Sequence, residues 1–181
     1  YWTEAEEELK GTSCKLVYAG KSSVPSLFEF IKENECYPLG IDASLFSYGD
    51  LKQMYLDDAH KIRQVSYRYM VSPLPSLPKG KIWKVSSSLL STTREQRVSS
   101  AMDVITKRGA KALVITTLDD IAYILGYRGS DIPCTPVFYS YLYIDENRTC
   151  HLFIDKEKLP TDFEKDVKTY PYDSFFDFLK E

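Results

Sequence analysis

Two histidines, four cysteines and several adjacent carboxylates are the side chains of this 181-residue chain that could carry catalysis or hold a metal. His60 follows Asp57 and Asp58, so these three could share a cation; the same spacing also suits an exposed helix C-terminus, where a histidine complements the dipole. His151 lies among apolar neighbours in a strand-like stretch and is expected as a cross-strand surface residue. The sequence contains no H-E-x-x-H, G-x-S-x-G, G-x-x-x-x-G-K-[ST] or G-x-G-x-x-G pattern. Cys134, between Pro133 and Thr135, would need a base and an electropositive setting to act as a nucleophile, and no histidine is near it in sequence. The pair Asp119-Asp120 fits a helix N-terminus, where negative charge is stabilised by about 0.3–1 kcal/mol. Nothing here assembles a catalytic centre.

One segment nevertheless reads as functional: Gly126-Tyr127-Arg128-Gly129-Ser130-Asp131-Ile132-Pro133-Cys134-Thr135-Pro136. Its glycines permit positive φ and its prolines stiffen the exit. Arg128 and Asp131 are thereby held in one tight loop between a helix and a strand. Two readings stand. Either the arginine and aspartate pair with each other or with backbone, or the loop is a lid or domain contact beside another module's active site. Ser130 interrupts any Arg-Gly-Asp adhesion tripeptide.

Hydrophobic residues make up 44% of the chain and charged residues 27%, a profile of folded domains rather than disordered ones. No apolar run approaches the ~18 residues of a membrane span. The net charge of −3 argues against a general nucleic-acid binder. The four cysteines form no C-x-x-C pair and are expected as free thiols in a reducing, cytoplasmic setting. No cationic, apolar leader opens the chain, and a start at Tyr1 suggests a fragment or processed product.

The charge is uneven. Residues 1–59 carry 5 basic and 11 acidic side chains, whereas 60–94 carry seven basic residues and no acidic one. Pro73, Pro75 and Pro78 also fall there, and alternate prolines interrupt both helix and central strand. We therefore expect a module over 1–70, a proline-rich linker over 71–92 and a second module over 93–181. The basic stretch suits a solvated linker or a strip docking on an acidic neighbour; aromatics interleaved as single-stranded nucleic acid requires are sparse.

Around the linker, helical and extended patterns alternate. Thr3 with Glu6 predicts a capping box, and 14–19 a strand. Val24, Leu27, Phe28 and Ile31 repeat at helical spacing. A short strand is expected over 39–42, a helix capped by Ser47 and Asp50 and carrying Leu51, Met54 and Tyr55, and an extended stretch over 64–69. In the second half, Val98, Ala101, Met102 and Ile105 give a helix ending near Gly109. A strand follows over 112–115, then a helix capped by Thr117 and Asp120 and closed by Gly126. Strands over 137–144 and 149–154 flank a polar hairpin loop, and a short aromatic helix spans 174–179. The class is α/β with mixed β-sheets flanked by helices, because the hairpin breaks a strictly parallel alternation.

The run Thr116-Thr117-Leu118-Asp119-Asp120-Ile121-Ala122-Tyr123-Ile124-Leu125-Gly126-Tyr127-Arg128-Gly129-Ser130-Asp131-Ile132, followed by Pro136-Val137-Phe138-Tyr139-Ser140-Tyr141, resembles the long, three-domain Xaa-Pro aminopeptidases (aminopeptidase P). In that family an Asp-Glu-Ile-Ala-Trp helix leads into Leu-Arg-Gly-Ser-Asp and then Asn-Pro-Val-Phe-Phe-Ser-Tyr. The departures are Asp120 for Glu, Tyr123 for Trp, Tyr127 for Leu, Thr135 for Asn and Tyr139 for Phe, all mild. Tyr1-Trp2-Thr3 resembles the family's Trp-Thr-Asp-Gly-Arg-Tyr segment, although Glu4, Ala5 and Glu6 replace Asp, Gly and Arg. Gly40-Ile41-Asp42 resembles its Gly-Val-Asp strand, and Lys81-Ile82-Trp83 the Lys-Ile-Trp before its second domain.

The resemblance implies creatinase/prolidase N-terminal-like modules: 1–70 as the later half of a first one and 93–181 as the early part of a second. It implies that the parent hydrolyses the N-terminal residue preceding proline in an Xaa-Pro peptide. That bond is a tertiary amide without an N–H, and two metals can polarise its carbonyl and activate a bridging water. The family's metal site, two divalent ions (usually manganese) held by Asp, Asp, His, Glu and Glu, belongs to a downstream pita-bread catalytic domain. No position here matches those ligands, so no cofactor is expected in this chain and the chain alone is expected to be inactive. The implied partners are the parent's catalytic domain, its peptide substrate and a second copy of the parent; neither nucleic acid nor membrane is expected. Arg128, Gly129, Ser130 and Asp131, with Phe138, Tyr139 and Tyr141, are expected in a substrate-access or inter-domain wall. The rival expectation is a stand-alone interaction module docking through the basic 60–94 strip; a thiol hydrolase using Cys134 is a further one.

Overall fold

The computed structural model describes residues 1–53, 61–66 and 73–180, which fall into two compact units, 1–75 and 76–181. In the first unit, helix α1 (Trp2–Glu8) begins two residues earlier than the Thr3/Glu6 pattern predicts. Tyr1 is its N-cap, without a side-chain cap. The strand expected over 14–19 does not form. Tyr18 instead donates to the Glu6 carboxylate at 2.6 Å and meets the Trp2 ring edge-on at 5.8 Å, folding the segment back on α1. Helix α2 (Leu27–Glu33) opens with a capping box in which Ser26 and Glu29 satisfy each other's backbone N–H. Strand β1 (Leu39–Ile41) pairs in parallel with β2 (Ile62–Gln64), with helix α3 (Tyr48–Gln53) between them in sequence. Asp50 and Ser47 exchange bonds at the start of α3 as expected, at 2.9 and 3.1 Å. Met54, Tyr55, His60 and its acidic neighbours Asp57 and Asp58, and 67–69 of the expected extended stretch lie outside the described residues.

The second unit takes up most of the stretch expected as linker. Ile82 is 2% exposed, and strand β3 (Trp83–Lys84) forms a ribbon with β5 (Tyr127–Arg128). Ile82 gains by leaving water and its N–H is bonded within the same unit, so the second unit begins well before residue 93. Helix α4 (Arg94–Thr106) is capped by a Thr93–Gln96 box, and Val98 and Met102 face the core. Strand β4 (Leu113–Ile115) leads to helix α5 (Leu118–Leu125), whose N-cap Thr117 makes no side-chain bond. Gly126 closes α5 in the left-handed region at φ 74°. A Cβ there would meet Arg97 Nη2 at 2.9 Å.

Strands β6 (Tyr141–Ile144), β7 (Cys150–Phe153) and β8 (Lys168–Tyr170) complete a sheet of order β4-β6-β7-β8, antiparallel except for the parallel β7–β8 pair. Alternation along β6 and β7 sends Leu142, Ile144, Cys150 and Leu152 into a core shared with α4 and α5. The opposite face carries Tyr141, Tyr143, His151 and Phe153 under helix α6 (Phe175–Phe178). His151 is thus buried, contrary to the surface position expected for it. The strand expected over 137–144 begins only at Tyr141, because the preceding backbone is bonded to the 129–131 loop instead.

Candidate functional site

The Arg-Gly-Ser-Asp loop leaves β5 and doubles back on residues 136–139. Gly129 N–H donates to the Pro136 carbonyl at 3.4 Å and Asp131 N–H to that of Val137 at 3.1 Å. Two strands of backbone approach so closely that a Cβ on Gly129 would lie 2.8 Å from Phe138 Cβ and 2.9 Å from the Val137 oxygen. Glycine is required there by contact, not by a special φ.

Arg128 and Asp131 do not pair with each other. The Arg128 guanidinium donates through Nη1 to the Ala122 and Tyr127 carbonyls, both at 2.9 Å, tying the loop to the last turn of α5. Asp131 turns inward. Its Oδ2 accepts the Tyr139 N–H at 2.7 Å and the ammonium of Lys158, and both side chains of this ion pair are almost fully buried. Asp131 Oδ1 is also buried and has no hydrogen-bond partner among the described residues. Lys158 in turn sits over the Tyr139 ring, 5.8 Å from its centroid, and its carbonyl accepts the Ile82 N–H at 2.9 Å. Three segments far apart in sequence are thereby joined at one buried charge pair. Lys158 carried no motif; its position C-terminal to the hairpin offered no signal that it would reach Asp131.

The remaining expected residues divide by exposure. Phe138 is in the core, Ser130 is exposed and Tyr139 half-buried. Tyr141 stacks on Phe175 at 4.2 Å and on Tyr172 at 5.0 Å, accepting the Tyr172 hydroxyl at 3.3 Å. Burial, with that bond second, raises the Tyr172 pKa above the ordinary phenol value. The surface of this region is therefore Ser130 with the edges of Arg128, Tyr139 and Tyr141, while Gly129, Asp131 and Phe138 form its support.

The other candidates are placed elsewhere. Cys134 is exposed at φ 62°. Both ring nitrogens of His151 are engaged, one with the Asp145 carboxylate and one with the Tyr170 hydroxyl, each at 3.2 Å. Burial opposes ionisation of Asp145. The Thr149 N–H, His151 and the Asn147 N–H outweigh it and hold the carboxyl below its ordinary pKa. Among the described residues no group of three or more His, Cys, Asp or Glu side chains could hold a metal, so two divalent ions find no ligand set there. The basic strip meets acid from its own unit: Lys79 faces Glu157 at 3.9 Å, Lys84 faces Glu164 at 2.7 Å, and Arg94 bonds both Glu164 and Asp166.

Comparison with known proteins follows this geometry. Residues 73–181 match the creatinase/prolidase N-terminal domain family. Xaa-Pro aminopeptidase 1 of Dictyostelium discoideum is 27% identical over 99% of the chain, and aminopeptidase P2 of Arabidopsis thaliana is 31% identical over 96% of it. The chain spans 32% and 26% of their respective lengths, so about a third or less of these curated relatives. The crystal structure of an X-prolyl aminopeptidase from Caenorhabditis elegans, described as a cytosolic enzyme with a di-nuclear active site, superposes with a TM-score of 0.82. It is 26% identical, and the match covers 99% of this chain and 31% of that one. With more than half of its residues matched and its mixed α/β architecture in agreement, the chain belongs to the creatinase/prolidase N-terminal domain family, and its relatives are Xaa-Pro aminopeptidases.

Proposed function

We propose that this chain is a non-catalytic portion of a metal-dependent Xaa-Pro aminopeptidase, whose parent removes the N-terminal residue preceding proline. The observation that carries the reading is coverage: nearly all of the chain aligns with only about a third of such enzymes. Among the described residues no group of three or more His, Cys, Asp or Glu side chains could hold a metal. Their contribution is steric and electrostatic. A rigid wall beside a cleft narrows access, and excluding water strengthens the interactions inside.

In this reading Ser130, Arg128, Tyr139 and Tyr141 face the parent's catalytic domain or its peptide substrate, and the Asp131–Lys158 pair holds them in place. The parent binds two divalent metals, manganese by family resemblance, in a domain outside residues 1–181, and it acts as a cytoplasmic homodimer. The nematode relative is called cytosolic, and among the described residues no helix is long and apolar enough to cross a membrane. Docking of a stand-alone module through the basic strip is the weaker reading, since Lys79, Lys84 and Arg94 already face acidic side chains of their own unit.

The test is direct. The purified chain, given an Xaa-Pro peptide and manganese, releases no amino acid, whereas the parent protein does so until a chelator is added. Chelator-sensitive turnover by the 181-residue chain alone would overturn the proposal.

A further inference from the structure

Strands β3 and β5 form a two-residue ribbon with two unlike faces. Trp83 lies directly opposite Arg128, and Lys84 opposite Tyr127. Directly opposed residues of an antiparallel pair share a face, with their Cβ atoms about 5 Å apart. Tyr127 is 1% exposed and packs on Phe163, so its face is the inner one. The outer face therefore carries Trp83, 48% exposed, with Arg128 beside it.

Arg128 is held so that one edge of its guanidinium stays free. Nη1 donates to the Ala122 and Tyr127 carbonyls. Nε and Nη2 bond nothing among the described residues, and neither is enclosed, so the edge they share meets solvent. Arg94 and Lys158 of the same unit both face carboxylates. No acidic side chain among the described residues lies within ion-pair reach of Arg128. The Nε–Nη2 edge presents two parallel N–H donors, the geometry that matches a planar carboxylate. Because two carbonyls already fix the guanidinium, little side-chain freedom is left to lose on binding.

We propose that Trp83 and Arg128 form a binding site for the carboxyl terminus of a peptide ending in proline. The carboxylate lies on the Nε–Nη2 edge of Arg128 and the pyrrolidine ring on the Trp83 indole. This rests on the reading of the chain as part of an Xaa-Pro aminopeptidase, for which Xaa-Pro dipeptides end this way. In such a ligand the ring and the carboxylate share one carbon atom, which suits two side chains about 5 Å apart across a ribbon. Proline rings are apolar and already rigid, so aromatic side chains take them up at low entropic cost. An aspartate or glutamate of the parent's own chain supplies the carboxylate but only CH2 groups beside it, and leaves the indole uncovered.

Nitrogen-edited NMR of the 181-residue chain, titrated with the dipeptide Gly-Pro, tests the site through the Trp83 indole N–H and the Arg128 Nε–H. Both signals shift together and saturably, while those of the first unit stay in place. Gly-Pro amide, which lacks the charge, binds about tenfold more weakly. Gly-Gly, which lacks the ring, also binds more weakly, and Trp83→Leu brings Gly-Pro down to the Gly-Gly level. Arg128→Lys keeps the charge but not the fork, and abolishes the difference between Gly-Pro and its amide. No saturable shift, or equal binding of acid and amide, overturns the inference. A response matched by acetate shows an adventitious ion only and overturns it too. So does a parent protein in which an acidic side chain of its own holds Arg128 and Gly-Pro moves neither signal. A parent that cleaves Xaa-Pro peptides while Gly-Pro leaves Trp83 and Arg128 unmoved removes this inference and leaves the proposed function standing. Binding of Gly-Pro by the chain, with a parent that cleaves no such peptide, does the reverse.

Discussion

Lys158 donates its ammonium hydrogen to the carboxylate of Asp131 across 27 positions of sequence, in an interior where their side chains are 3% and 0% exposed. Such a pair recovers its desolvation cost only while both partners are present. Asp131→Ala is therefore expected to lower the stability of the second unit by about 3–5 kcal/mol, because an unpaired ammonium stays behind. Asp131→Leu combined with Lys158→Met should recover most of that loss. Urea unfolding of the three proteins checks both statements; a single variant no worse than the double would contradict them.

Gly129 is limited by the backbone of Val137 and by Phe138, neither of which has a flexible end to move aside. Gly129→Ala should cost about 1–3 kcal/mol by overpacking. It should also loosen the 136–139 segment, read as faster exchange of the Asp131 and Tyr139 amides.

Asp145 links the hairpin loop to His151, and its carboxyl is held below the ordinary value. A carboxyl depressed on folding stabilises the protein above its unfolded pKa of about 3.9, and that contribution disappears as pH falls through the lower folded value. The Tm advantage of the natural protein over Asp145→Asn is accordingly expected to be full at pH 5 and above and to shrink steadily towards pH 2. A gap that widens on acidification would contradict the assignment.

The two units differ in core. Among the described residues of the first, only Ile31 and Ile41 are buried hydrophobics, and its sheet is a single three-residue parallel pair. Isolated two-stranded pairings are marginal in water. In the 181-residue chain the first unit should thus exchange its amides and lose structure at lower urea than the second. Mass-resolved exchange across a urea series checks this, and coincident loss of both units would disprove it.

The α/β class and the helices at 27–33, 94–106 and 118–125 were readable from residue types alone, because helical periodicity and a closing glycine act within a few positions. The loop at 126–136 could likewise be singled out by its glycines and prolines. Pairings between distant segments could not. The third and fourth strands of the main sheet join in parallel through Lys168–Tyr170, three residues with no alternation to mark them. His151 is buried because Tyr170 and Phe178, both farther along the chain, pack against it. Asp131 became a structural anchor rather than an exposed contact because Lys158 reaches it through the fold. Local backbone preference is written in neighbouring side chains, whereas burial and charge pairing depend on which remote surfaces exclude water from one another, and that is decided only when the chain has packed.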